Sequence, residues 1–279
     1  ALWTTSSVNP MRTIAITSGK GGVGKTNISA NIGIQMARRA RRVVVFDADL
    51  GLANLDVVLG TPSQFTLQHI LTGEKTLSQI VAEGPAGMRF IAGGSGVEAL
   101  VNLSGPQLER FLSELAELER TTDILIFDTG AGIDSNVMTF LQAADETLLI
   151  CTPDPASITD AYATAKSLWT RRPDAVIRVV LNMVIDDAHA KAVFAKLRSI
   201  TEQFLGKSLL FGGYVRNDPK AVEWIRKRKP FSLADPSSPA SQDVCAVAAS
   251  LLGVEFEPVR LTLADKLRSA FGFQYRQAS

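Results

Sequence analysis

The segment Gly19-Lys20-Gly21-Gly22-Val23-Gly24-Lys25-Thr26 constrains the fold of this chain more than any other feature. It follows an apolar stretch, residues 13–17, which predicts a buried strand, and it precedes residues 27–39, where apolar residues recur at helical spacing. Glycines let a backbone curl tightly enough to point several N–H groups at one spot, and a helix start adds its positive dipole end. The segment therefore predicts a phosphate-binding loop, in which Lys25 contacts the terminal phosphates and the Thr26 hydroxyl is a ligand of Mg²⁺.

Further apolar stretches alternate with helical patterns along the rest of the chain. The predicted strands are residues 43–46, 90–92, 124–127, 147–152, 176–181 and, more weakly, 209–215. The predicted helices are residues 107–119, 136–143, 158–171, 189–204, 219–227 and 242–252. Continuous apolar strands between amphipathic helices predict an α/β fold of the P-loop NTPase type, a mostly parallel, doubly wound sheet flanked by helices on both faces. We expect one domain over residues 11–253, an N-terminal extension over 1–10 and a tail over 254–279.

Composition excludes several classes of protein. The net charge of +1 gives no global reason to bind nucleic acid. The two cysteines, Cys151 and Cys245, lie far apart, which argues against a disulfide framework or a metal cluster within one chain and favours a reducing cytosol. No apolar run reaches the roughly 18 residues that span a bilayer, and residues 1–10 lack the pattern of a signal peptide. We therefore expect a cytoplasmic protein.

Three carboxylates are predicted to lie near the phosphate loop. Asp47 and Asp49 follow the second predicted strand, and Asp128 directly follows the apolar run 124–127. Because ligands collect at the carboxyl ends of parallel strands, these side chains suit Mg²⁺, its water shell or an attacking water. We predict Thr26, Asp47 and Asp128 as the metal-binding group. The alternative for Asp47 or Asp49 is a plain loop cap.

Lys20 is a second lysine that an ordinary phosphate loop does not need. With it, the loop has the deviant Walker A sequence and resembles that of the MinD/ParA family of ATPases. The resemblance covers about residues 11–253 and implies ATP and ADP as ligands, with slow, Mg²⁺-dependent hydrolysis. It further implies an ATP-dependent homodimer in which Lys20 reaches the partner's nucleotide across the interface, with Gly21 keeping that interface close. A solvated loop charge is the alternative for Lys20.

The same resemblance assigns further residues. Asp49 matches the residue that positions the hydrolytic water, so the predicted catalytic residues are Lys20, Lys25 and Asp49. Asn182, after the strand at 176–181, matches a residue that recognises the edge of adenine by hydrogen bonds. The alternative is a loop residue with no contact to the base. The predicted nucleotide contacts are Gly19, Lys20, Gly21, Gly22, Val23, Gly24, Lys25, Thr26, Asn27, Asn182, Arg216 and Asp218.

Two further segments, residues 91–96 and 159–162, resemble the FlhG subfamily (also called YlxH or FleN), which controls flagellar number and placement. This implies an FlhF-like GTPase and flagellar basal-body proteins as partners. FlhG proteins commonly carry an N-terminal activation motif, Asp-Gln-Ala followed by Leu-Arg. Residues 1–10 do not contain it.

The tail contains a basic amphipathic stretch. On a helix, Leu263, Leu267 and Phe271 share one face, while Arg260, Lys266 and Arg268 supply positive charge. This stretch resembles the membrane-targeting helix of MinD-like proteins and predicts peripheral binding at the inner face of the cell membrane. A helix packed back on its own domain is the alternative.

Two basic runs keep a second function open. Arg38, Arg39, Arg41 and Arg42 form the first run, and residues 226–229 form the second. Cations favour helix C-termini, so solvated caps are the simpler interpretation. If both runs formed one dimer face, the chain would be a ParA-like DNA-partition ATPase. An iron–sulfur electron-transfer ATPase is excluded, because no cysteine follows Asp128 closely enough to ligate a cluster across a dimer.

Overall fold

The computed structural model describes residues 11–39, 41–49, 54–94 and 105–256. The described residues form an eight-stranded sheet. Its strands are β1 (Arg12–Ser18), β2 (Val43–Ala48), β3 (Ala82–Glu83), β4 (Arg89–Ile91), β5 (Ile124–Ala131), β6 (Glu146–Cys151), β7 (Val176–Val184) and β8 (Leu210–Arg216).

The strand order in the sheet is β3-β4-β2-β5-β1-β6-β7-β8. Every pairing is parallel except that of the edge strand β3 with β4. The seven predicted strands are therefore confirmed, with bounds that shift by a few residues. The sequence analysis missed β3, because two residues are too short for an alternating pattern to be recognised.

Helices connect the strands and cover both faces of the sheet. They are α1 (Lys25–Ala37), α2 (Leu55–Leu59), α3 (Leu67–Leu71), α4 (Leu77–Ile80), α5 (Gly105–Thr121), α6 (Ser135–Ala143), α7 (Pro155–Arg171), α8 (Asp187–Leu205), α9 (Pro219–Arg226), α10 (Phe231–Ala234) and α11 (Pro239–Leu252). The seven predicted helices are present, and the short helices α2, α3, α4 and α10 were missed. No helix in the described part of the chain is long and apolar enough to cross a membrane.

Successive side chains of a strand point to opposite faces of the sheet, and a hydrophobic core lies on each face. In β1, Ile14 and Ile16 pack with α1 and α11 on one face, while Ala15 packs with α6, α7 and α8 on the other. A third cluster around Val44 and Phe46 joins β2 and β4 to α3, α4 and α5. The predicted doubly wound α/β fold is confirmed. The division into one domain, an extension and a tail stays a prediction, because residues 1–10 and 257–279 lie outside the described residues.

The central strand β5 gives a test of this packing. Ile126 is fully buried in the sheet, so Ile126→Ala should lower the free energy of unfolding by about 2–5 kcal/mol through lost burial and a residual cavity. Val222→Ala, at an exposed position of α9, is the matched control and should change it by no more than about 0.5 kcal/mol. Urea denaturation measures both, and equal effects would contradict the assigned core.

Candidate nucleotide-binding site

The predicted site residues meet at the carboxyl edge of the sheet. After β1 the chain crosses to β2 on one side, and after β5 it crosses to β6 on the other side of β1. This reversal of direction opens a crevice beyond the strand ends, where ligands of such sheets bind. The loop of residues 19–24 follows β1 into that crevice.

The backbone of the loop has the conformation that a phosphate cradle requires. Gly22 and Gly24 have φ angles of 79° and 85°, in the left-handed region that side chains disfavour. Helix α1 starts directly after Gly24 and has no side-chain cap, whereas Asp134, Asp186, Asp218 and Ser238 cap the starts of α6, α8, α9 and α11. The first N–H groups of α1 therefore lack the side-chain acceptor that these other helices have, which suits an anion.

A buried ion pair joins α1 to the second half of β5. The Nζ of Lys25 lies 3.2 Å from Oδ1 of Asp128, and the Ser29 hydroxyl donates to the same oxygen at 2.9 Å. Burial raises the pKa of Asp128, while the charge of Lys25 and hydrogen bonds from Thr26, Ser29 and Lys25 oppose that rise. The sequence analysis missed Ser29, although its position four residues after Lys25 puts both on one face of α1.

The second carboxylate oxygen of Asp128 is available to a ligand. Its Oδ2 is buried and has no hydrogen-bond partner in the described structure. Because unpaired buried oxygens are costly, this atom suits a water of a Mg²⁺ shell beside the Thr26 hydroxyl. No group of three or more His, Cys, Asp or Glu side chains in the described residues could hold a metal ion. The residues present thus fit a Mg²⁺ that takes its remaining ligands from phosphate and water.

Asp47 organises the chain that follows β2. It lies beside Asp128 in register, and its carboxylate accepts N–H groups from Asp49 at 3.2 Å, Asn54 at 2.9 Å and Leu55 at 3.0 Å. Burial first, and then the charge of Asp128, raise the pKa of Asp47 from 3.8 to about 7, against the effect of the three N–H groups. The structure thus gives Asp47 an anchoring role, and its role at the metal stays a prediction.

Asp49 lies near the carboxyl end of β5. A Cβ built on Gly130 would be 3.4 Å from its Oδ1, so the ends of β2 and β5 bring Asp49 close to the segment after Asp128. The three predicted carboxylates therefore belong to one site. The role of Asp49 in positioning a water stays a prediction.

Lys20 pairs with a residue outside the phosphate loop. Its Nζ makes an ion pair with Oδ2 of Asp154 at 2.8 Å, and both side chains are about half exposed (46% and 47%). The hydrogen bond between them raises the pKa of Lys20 and lowers that of Asp154. Asp154 was missed because it lies 134 residues away in sequence. Within the described residues, a Cβ on Gly21 would meet nothing within 4 Å, so this part of the loop is open.

The predicted base contacts already bind other parts of the protein. Arg216 forms a bidentate ion pair with Asp243, in which Nε donates to Oδ2 and Nη2 donates to Oδ1, each at 2.8 Å. Asp218 caps α9 through the N–H of Lys220 and also accepts the N–H of Ala240. Asn182 donates a hydrogen bond to a backbone carbonyl of the phosphate loop, that of Val23. Their contacts with adenine stay predictions, and Asp243 is a partner that no local sequence signal identifies.

The two basic runs have different neighbours in the fold. The first joins the end of α1 to the start of β2, and its Arg42 pairs with Asp123 just before β5. The second lies beside the end of α2, where a Cβ on Gly60 would be 2.5 Å from the Arg228 carbonyl oxygen. That the two runs form one dimer face stays a prediction. Leu263, Leu267 and Phe271, the predicted membrane contacts, lie outside the described residues.

Ser29 offers a test of the buried network. Ser29→Ala removes one hydrogen bond to the Asp128 carboxylate and should lower the free energy of unfolding by about 1.5–3 kcal/mol, because bonds to charged groups are worth more than neutral ones. Ser250→Ala, at an exposed position of α11, is the control and should have little effect. Chemical denaturation of both variants makes the comparison, and a neutral Ser29→Ala would contradict the network.

Comparison with known proteins identifies the family of this chain. The family described as "ParA: NUBPL iron-transfer P-loop NTPase" matches residues 9–252. Antiactivator FleN of Pseudomonas aeruginosa is 38% identical over 242 residues, which cover 87% of this chain and 86% of FleN. The flagellum site-determining protein YlxH of Helicobacter pylori is 37% identical, with 86% and 81% covered. The MinC:MinD cell division complex of Aquifex aeolicus shares the fold at a TM-score of 0.72 and 24% identity, with 89% and 98% covered.

The predicted resemblance is thereby confirmed. A family match over nearly the whole described chain and two relatives above 30% identity lead to the same conclusion. This chain belongs to the ParA/MinD family of P-loop NTPases, in which FleN and YlxH are its relatives.

Proposed function

We propose that this protein is a Mg²⁺-dependent ATPase that alternates between a monomer and an ATP-bound dimer and regulates the number or placement of flagella. The observation that carries the proposal is the buried Lys25–Asp128–Ser29 network beneath the uncapped start of α1. Such a network holds the Lys25 ammonium group and the first backbone N–H donors of α1 at the place where phosphates bind. The flagellar role is supported by the likeness to FleN and YlxH.

The residues of this chain would divide the chemistry among them. Lys25 and the N–H groups of the loop bind and orient the phosphates, and Thr26 and Asp128 hold the metal's ligand shell. Mg²⁺, when bound, supplies positive charge at the transferring phosphate oxygens. Asp49 orients the attacking water, and Asp47 holds the backbone of Asp49 in place through its N–H group.

Lys20 would supply the dimer-specific contact. It is exposed and paired only at the surface, where water screens the ion pair with Asp154 and makes it easy to break. The open space around Gly21 leaves room for a second copy to approach. We therefore propose that Lys20 leaves Asp154 and contacts the partner's nucleotide when two ATP-bound copies meet.

The tail would anchor the dimer to the membrane. One short basic amphipathic helix binds lipid weakly, whereas two helices on one dimer bind with higher avidity. Nucleotide state would then control attachment to the inner face of the cell membrane, where we propose an FlhF-like GTPase and flagellar basal-body proteins as partners.

Asp49→Ala tests the switch. The variant should bind ATP as the wild type does but hydrolyse it at least about tenfold more slowly, because general-base or water-positioning groups contribute about 10²–10⁴-fold. It should therefore accumulate as a dimer with ATP and remain a monomer with ADP. Phosphate release and light scattering measure the two properties, and hydrolysis at the wild-type rate would refute the role of Asp49.

Lys20→Ala in the Asp49→Ala background provides the control for the dimer contact. It should abolish the ATP-dependent dimer while leaving nucleotide binding by the monomer largely intact. Asp154→Asn frees Lys20 without removing it, so it should preserve the dimer. If Lys20→Ala lost nucleotide binding and dimerisation equally, Lys20 would act within its own site.

Liposome binding tests the anchor. The Asp49→Ala variant should sediment with anionic liposomes in ATP and not in ADP, and Leu267→Glu should abolish sedimentation, because a charge on the apolar face opposes burial in lipid. A tail folded on its own domain would give no sedimentation in either state. In that case ATP-dependent, salt-sensitive DNA binding would favour the partition function instead.

A further inference from the structure

Asn182 contacts the phosphate loop directly. It lies near the carboxyl end of β7 and is only 8% exposed. Its Nδ2 donates to the Val23 carbonyl oxygen at 2.7 Å, and its Oδ1 accepts the N–H of Met183 at 2.9 Å. The two bonds use opposite ends of the amide, so together they fix the orientation of the side chain.

Strand β7 is distorted where Asn182 makes these bonds. Its pairing with β8 shifts register between Asn182 and Val184, and Met183 between them has a φ angle of 59°. A residue other than glycine keeps such a left-handed conformation only where surrounding contacts hold it. The irregular strand end and the two hydrogen bonds of the Asn182 side chain therefore belong to one local arrangement. In it, the Met183 N–H orients the Asn182 side chain toward the loop.

The hydrogen bond from Asn182 to the Val23 carbonyl fixes the orientation of the peptide group between Val23 and Gly24. A bound phosphate would contact this peptide group. A peptide bond is planar and trans, so the Val23 carbonyl and the Gly24 N–H point in opposite directions. When Asn182 holds the carbonyl, it also sets the direction of the Gly24 N–H, a backbone donor of the loop. The fit is close, since a Cβ on Gly24 would lie 2.6 Å from Asn182 Nδ2.

From this geometry we infer that Asn182 is a positioning residue of the phosphate loop, which orients the Val23–Gly24 peptide for binding phosphate whatever base the nucleotide carries. The inference rests on the phosphate binding proposed above. It differs from a role in reading adenine, because a residue that only contacts the base has no effect on a ligand without a base.

Titration calorimetry with Mg²⁺-ATP, Mg²⁺-GTP and Mg²⁺-tripolyphosphate separates the two roles. Asn182→Ala should weaken the binding of all three by a similar factor, about three- to tenfold, the size expected for one lost hydrogen bond. The ratio of ATP to GTP affinity should stay unchanged. Trp169→Phe is the matched control, because it also removes a buried side-chain N–H bond to a main-chain carbonyl, that of Ala175. Trp169 lies near the C-terminal end of α7, whereas the start of that helix is the part next to the phosphate loop. It should leave tripolyphosphate affinity unchanged.

The outcomes distinguish the inference from the proposed function. If the wild type binds tripolyphosphate and Asn182→Ala binds it equally well, the inference is overturned and the proposed function stands. If the wild type binds neither ATP nor tripolyphosphate, both are overturned. Should the variant not fold, hydrogen exchange of the Asn182 side-chain amide in the wild type decides the question. Slow exchange without nucleotide supports the contact with Val23, and exchange as fast as that of an exposed amide overturns it.

Discussion

The carboxylate of Asp128 is buried in the second half of β5, and its need for partners organises the surrounding structure. A buried charge is tolerated only with a counter-charge and hydrogen bonds, because desolvation is costly. Lys25 and Ser29, on one face of α1, supply both. This fixes the start of α1 over the second half of β5, so the chain between β1 and α1 must turn within a few residues. Gly22 and Gly24 make that turn with left-handed backbone angles.

A second carboxylate extends the same arrangement to the next strand. Asp47 pairs with Asp128 in register, and its raised pKa reflects burial beside a like charge. Three backbone N–H groups, from residues on either side of the segment 50–53, hold it in place. The chain after β2 is therefore tied to the same corner of the sheet as the end of β5. A cation at this corner would favour the ionised form of both carboxylates.

The two lysines of the loop have opposite environments although they are five positions apart. Lys25 begins α1 and is buried against Asp128, whereas Lys20 lies on the exposed part of the loop and pairs at the surface with Asp154. Loss of the buried pair would leave a charge uncompensated, while the exposed pair can exchange partners at little cost. Sequence alone shows both lysines as equal members of one motif, and their environments explain why the proposed roles differ.

The sequence by itself determined the long elements and the local motif. Seven strands and seven helices follow from hydrophobic periodicity, and the loop, Asp47 and Asp128 follow from their positions at the carboxyl ends of predicted strands. β3 and the short helices α2, α3, α4 and α10 were missed because a few residues do not establish a period. Only the tertiary structure decided that Lys20 pairs with Asp154, that Arg216 pairs with Asp243 and that Asn182 holds Val23. These contacts join residues up to 159 positions apart, and they exist because the order of strands in the sheet brings distant strand ends to one edge. No pattern of neighbouring residues contains that order.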